Sequence, residues 1–86
     1  MANRISIKDL EQLALTINEL TGSPLKPYIG GVAQVGNYHI SQAYGGVCLH
    51  RMHSAGGAVT TPLASYHEPK RALYNHMQAF IAGLQA

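Results

Sequence analysis

Five histidines, His39, His50, His53, His67 and His76, and one cysteine, Cys48, are the residues best equipped for metal binding or acid–base chemistry. An antiparallel hairpin would bring His39, Cys48 and His50 to one face, with Ser41 opposite His50. Imidazole and thiolate are good zinc ligands. The spacing fits no zinc motif, however, and His50-x-x-His53 on a strand sends its two rings to opposite faces. Neither a metal nor a cofactor is therefore expected. Cys48 beside His50 or His39 supplies a nucleophile and a base, but no third group is evident to orient the base. A binding role is expected ahead of an enzymatic one.

The other chemically suggestive pair is Lys70-Arg71, in the first turn of a helix that follows Pro69. A helix start carries the positive pole of the backbone dipole, where acids are preferred. Two cations beside free N–H groups make a candidate anion site, with Glu68 offsetting part of the charge. Exposed cations at a helix start are otherwise ordinary solubilising groups. Arg51 and His39, on the intervening strands, complete the candidate set for an anion or a nucleic acid. The glycines at 30, 31, 36, 45, 46, 56 and 57 do not form a phosphate loop, because none has the required spacing between a strand and a helix. They are expected in turns and bulges.

These side chains must be positioned by a small number of elements. Ser6 and Asp9 have capping-box spacing, with Ile5 and Leu10 as a hydrophobic staple. Ile7, Leu10, Leu13, Ala14, Ile17 and Leu20 then recur on one helical face, which predicts a helix over 7–20 closed by Gly22 and Ser23-Pro24. Residues 24–31 read as a connection. Alternation begins at Val32, predicting a hairpin turned at Gly36-Asn37, with strands 32–35 and 38–41.

A second hairpin turned at Gly45-Gly46 sets Tyr44 against Val47, Gln42 against Leu49 and Ile40 against Arg51. It puts Tyr38, Ile40, Tyr44, Val47 and Leu49 on one face and His39, Ser41, Ala43, Cys48, His50 and Met52 on the other. Ser54–Gly57 is a further turn, and Ala58–Thr61 a short strand ended by Pro62. Leu73, Met77, Phe80, Ile81 and Leu84 predict a second helix over 69–84. The expected fold is a two-layer α+β domain: helix, three or four antiparallel strands, helix. Both helices lie on one face of the sheet and leave the other face free.

Eighty-six residues set the expectation of one domain spanning 1–86. A core this small is marginal by itself. Charged residues make up only 12% of the chain, half the usual share, so much of the surface is weakly polar. Both points favour a homo-oligomer or a protein partner. No run of about 20 apolar residues is present to span a membrane. The stretch Met1–Ser6 lacks a signal peptide's apolar core, and Cys48 has no internal partner, so a cytoplasmic setting is expected. Acids are confined to Asp9, Glu11, Glu19 and Glu68, which leaves the chain after residue 20 mildly basic, short of a nucleic-acid binder's usual stripe. Of the five tyrosines, Tyr28, Tyr66 and Tyr74 are candidates for a contact surface.

Val35-Gly36-Asn37-Tyr38-His39-Ile40, Ala43-Tyr44-Gly45-Gly46, Leu49-His50-Arg51-Met52 and Pro69-Lys70-Arg71-Ala72-Leu73-Tyr74 together resemble small uncharacterised proteins of tailed bacteriophages and prophages. That resemblance covers most of residues 7–84 and implies the bacterial host cytoplasm during phage growth, with no established activity. The element order also resembles a double-stranded RNA-binding domain. That likeness implies phosphate contacts at Lys70 and Arg71, with Asn18 or Glu19 and His39 near the other contacts. The chain departs from that family in lacking its dense lysine cluster and its alanine-rich last helix. The expected function is a non-enzymatic phage accessory protein that binds a protein partner, such as a host or anti-defence target. The alternative is a nucleic-acid or nucleotide-binding module built on the basic start of the last helix.

Overall fold

Two amphipathic helices frame the chain in the computed structural model, which describes residues 4–64 and 66–86. The first, α1 (Ile7–Thr21), starts at a complete capping box. The Ser6 N–H donates to Asp9 Oδ2 at 2.9 Å, and the Asp9 N–H donates to Ser6 Oγ at 3.2 Å. Gly22 closes it in the left-handed conformation, with the Ser23 N–H returning to the Asn18 carbonyl at 2.8 Å. The second, α2 (Lys70–Leu84), begins after Pro69, whose side chain makes no capping hydrogen bond. Both helices lie within about a residue of the bounds their periodicity predicts.

Among the described residues five short strands run between them in two antiparallel sheets: β1 (Tyr28–Ile29) with β2 (Val32–Ala33), and β3 (Tyr38–Ala43), β4 (Gly46–Met52) and β5 (Val59–Thr60) in spatial order β3-β4-β5. Leu10, Ala14 and Ile17 of α1 and Leu73, Met77 and Ile81 of α2 pack with Tyr38, Val47 and Leu49 into one core, so both helices cover the same sheet face. Tyr38 and Phe80 add a tilted ring contact at 5.9 Å. Each fully buried Leu, Ile or Met contributes on the order of 1.5–3 kcal/mol relative to exposure. The fold is two-layer α+β, as the apolar stripes require.

Three features differ from the sequence expectation. The hairpin expected at Gly36-Asn37 is replaced by an earlier ribbon, in which Ile29 faces Val32 and Tyr28 faces Ala33 around Gly30-Gly31. Both glycines have left-handed φ, 57° and 80°, as a two-residue type I′ turn needs. Gly36 and Asn37 instead continue the β3 side of the ladder. The Gly36 N–H donates to the Met52 carbonyl and the Met52 N–H to the Asn37 carbonyl, each at 2.8 Å.

The β3–β4 turn is Tyr44-Gly45, with φ of 55° and 72°, and not Gly45-Gly46. Ile40 therefore opposes Leu49, Ser41 opposes Cys48, and His39 opposes His50. The register moves by two, so the strand residues keep their expected faces. Tyr44 is the exception, since it sits in the turn and is 97% exposed. The reason is at Gly46, where a Cβ would come within 2.9 Å of the Glu68 carbonyl oxygen. Val47 and Glu68 exchange both backbone hydrogen bonds there at 2.8 Å, so the glycine permits a close backbone approach and Tyr44 takes the left-handed turn position.

The second sheet face is also not free. The Ala64 carbonyl meets Cys48 Sγ there and His67 meets Ser41, and Cys48 and Met52 are almost fully buried.

Candidate functional site

The candidate cationic residues do not gather on one surface. Lys70 lines a shallow concavity with Gln42, Ala43, Gly45, Gly46 and Val47, where the hairpin tip meets the start of α2. Next to it, the Arg71 guanidinium lies 5.9 Å from the Tyr74 ring centroid. Arg51 sits on the ring of Tyr38 at 5.4 Å, toward the other end of β4. It is four residue steps along the strand from Val47, about 13 Å at 3.3 Å per residue. His39 is on the opposite face of the sheet. Glu68, expected to offset the helix-start cations, is buried and pairs with His76 Nδ1 at 3.0 Å.

On the second face three imidazoles form a row. His39 and His50 meet edge-on at 5.6 Å and His50 and His67 at 6.1 Å, with Tyr44 edge-on to His67 at 5.7 Å. His39 Nδ1 lies 3.1 Å from Asn37 Oδ1, and His67 Nε2 lies 3.0 Å from Ser41 Oγ. Burial, and then the neighbouring His50, lowers the His39 pKa below its ordinary 6.5; burial, and then His67, does the same to His50. Among the described residues no group of three His, Cys, Asp or Glu side chains is placed to hold a metal ion.

Burial and then the nearby Glu68 carboxylate push the Cys48 thiol pKa up. Its Sγ hydrogen donates toward the Ala64 and Leu49 carbonyls at 3.4 and 3.7 Å. A buried thiol held in its protonated form is a poor nucleophile. His67 was not part of the sequence reading of this face, because nothing in its local spacing ties a loop residue to a strand 26 positions away.

The largest unassigned feature is apolar. Leu25, Tyr28, Ile29, Val32 and Val35 are 53–57% exposed. Ala33 is the only buried residue of the ribbon, and Tyr28 reaches the Gly57 turn, its hydroxyl 3.5 Å from where a Gly57 Cβ would sit. Ile29 and Val32 form a cross-strand pair on the exposed side. A hollow lined by Leu25, Lys26, Tyr28, Ile29 and Gly30 runs along its flank. Leu25 also lines a second groove, between α1 and the outer edge of β3, with Glu11, Leu15, Pro27, Tyr38 and Ile40.

At the inner end of that groove Asn18 is 2% exposed. Its Oδ1 accepts the Tyr38 N–H at 2.7 Å and its Nδ2 donates to the Tyr38 carbonyl at 3.0 Å. The glycine pair between Tyr28-Ile29 and Val32-Ala33 was the sequence signal for the ribbon. The prolines at 24 and 27 masked it.

No protein-family model matches the chain, and neither a curated protein nor a solved structure matches it. Among the described residues no helix is long and apolar enough to cross a membrane.

Proposed function

We propose that the chain is a non-enzymatic binding module whose β1–β2 ribbon docks on a protein partner. Its setting is that of a phage accessory protein in the host cytoplasm, acting on a host or anti-defence target. The observation that carries this reading is the group of five large apolar side chains left more than half exposed along the ribbon and its approach. An isolated two-stranded ribbon is marginal in water, and contiguous exposed apolar surface marks interaction sites. The ribbon segment itself carries no acid, since none lies between Glu19 and Glu68, and Lys26 is the charged residue that lines its hollow. A catalytic reading through Cys48 loses its nucleophile to burial.

Phosphate binding is the alternative, and it rests on the concavity that Lys70 shares with the hairpin tip. One experiment separates the two. The chain is immobilised and exposed to bacterial lysate, the retained protein is purified, and its affinity is measured against salt. Apolar docking predicts a Kd nearly flat in salt. An affinity for duplex RNA, duplex DNA or nucleotides that falls steeply with salt, with no protein retained, supports the alternative. Sedimentation of the chain alone separates docking on a partner from self-association through the same ribbon.

A further inference from the structure

The hydrogen-bond pattern of β3 leaves part of its outer edge open. Ala43 and Gly46 close the hairpin, and antiparallel pairs alternate from there. Val47 spends both its backbone groups on Glu68, and the Asn37–Met52 bond fixes the same alternation at the other end. The peptide groups of Tyr38, Ile40 and Gln42 therefore all point away from β4. Those of Tyr38 are taken by the Asn18 amide, which stands where a neighbouring strand's peptide would stand. Those of Ile40 and Gln42 have no partner among the described residues, because β3 is an edge strand.

The groove outside this edge has walls of definite chemistry. Leu15, Leu25 and Pro27 supply apolar surface, and Glu11 supplies an exposed carboxylate that no ion pair engages among the described residues. An unpaired edge beside a groove is the arrangement used in strand addition, where backbone bonds give affinity and flanking pockets give specificity.

We propose that this edge takes an extended segment of the protein partner, added as a strand against Ile40 and Gln42 and carrying a Lys or Arg to Glu11. The proposal rests on the reading of the chain as a protein-binding module and specifies how the partner is held. A residue added opposite Ile40 shares the face of Ile40 and stands beside α1. A long cationic side chain there lays its stem along Leu15 and Ala14 and brings its charge to Glu11. Its sequence neighbours turn toward the His39 side of the sheet. Leu25 joins this groove to the ribbon hollow, so one partner can occupy both.

The test uses the full chain and a bead-displayed library of random seven-residue peptides. Enriched peptides are expected to alternate and to carry Lys or Arg. Their binding should slow hydrogen exchange at the Ile40 and Gln42 amides by about tenfold or more, the effect of about 1.4 kcal/mol. The Glu11→Lys variant should exchange the preference for a cation for one for an acid. Gln42→Pro removes an outward N–H without touching the β4 ladder, and should weaken binding about five- to tenfold.

Enriched peptides that protect the Ile29 and Val32 amides and leave Ile40 and Gln42 unchanged overturn the strand-addition proposal while leaving the module reading intact. A library with no enriched peptide, or a Glu11→Lys variant with unchanged selectivity, overturns it as well. The module reading itself falls if no protein is retained in the capture experiment.

Discussion

Replacing Asn18 by alanine removes the only partners that the Tyr38 N–H and carbonyl have among the described residues. Both bonds are buried, at 2.7 and 3.0 Å, and Asn18 itself is 2% exposed. A buried polar group left without its partner costs about 1–3 kcal/mol. Two such groups, with some relief from water entering the edge groove, give an expected loss of about 2–4 kcal/mol. An 86-residue domain has a total stability on the order of 4–13 kcal/mol, so the variant gives up a large share of it. Urea unfolding followed by far-UV circular dichroism should show a lower midpoint at unchanged slope.

Asn18→Asp separates the hydrogen bonds from packing. The carboxylate still accepts from the Tyr38 N–H but stands against the Tyr38 carbonyl, which raises its pKa in the folded state. The folded state then binds the extra proton as pH falls, so the deficit relative to wild type should shrink on acidification. An alanine variant within about 0.5 kcal/mol of wild type would refute the reasoning, as would an aspartate variant whose deficit ignores pH.

The remaining predictions concern the turns and the histidine row. Gly46→Ala should lose about 1–3 kcal/mol, because its Cβ would meet Glu68 and His67 backbone atoms at 2.9–3.1 Å. Gly83→Ala, with nothing within 4 Å in α2, should gain about 0.5–1 kcal/mol; chemical unfolding of both variants checks the pair. Tyr44→Asn should raise the unfolding midpoint by an amount worth up to about 1 kcal/mol, since Asn-Gly suits a type I′ turn better than an exposed Tyr at φ 55°. His39 and His50 have folded pKa values below their ordinary 6.5, so the unfolded chain binds more protons below that pH. Stability should be fullest above pH ~6.5 and decline as pH falls through the lowered folded values, and the decline should shrink in His50→Gln. NMR titration of the ring protons checks the two shifts directly.

The helices and the two faces of the β3–β4 hairpin were legible because they depend on short-range periodicity. Ser6, Asp9 and Gly22 bound α1 by local hydrogen bonds, and Leu73, Met77 and Ile81 mark the inner side of α2. The hairpin faces survived a wrong turn because a two-residue shift preserves strand parity. What the sequence could not display was long-range. Gly46 is required by the backbone of Glu68, and His67 meets His50 across a sequence gap that no local pattern spans. Asn18 reads as an ordinary helix polar residue until Tyr38 is placed beside it. The ribbon was not legible for a local reason: Pro24 and Pro27 make residues 24–31 read as a connection, and Gly30-Gly31 reads as part of it. Of the four candidate anion-binding residues, Lys70 and Arg71 share the start of α2, while Arg51 and His39 lie toward the other end of the β3–β4 ladder on opposite faces.

The claim that the ribbon is the docking surface is tested most directly by the double substitution Ile29→Glu/Val32→Glu, measured against the purified captured partner. Both side chains are more than half exposed and lie outside the core, so the unfolding midpoint should stay close to wild type. Binding should weaken by at least about a hundredfold, as expected for charging the centre of an apolar contact. A folded double variant that binds the partner with wild-type affinity would contradict the account.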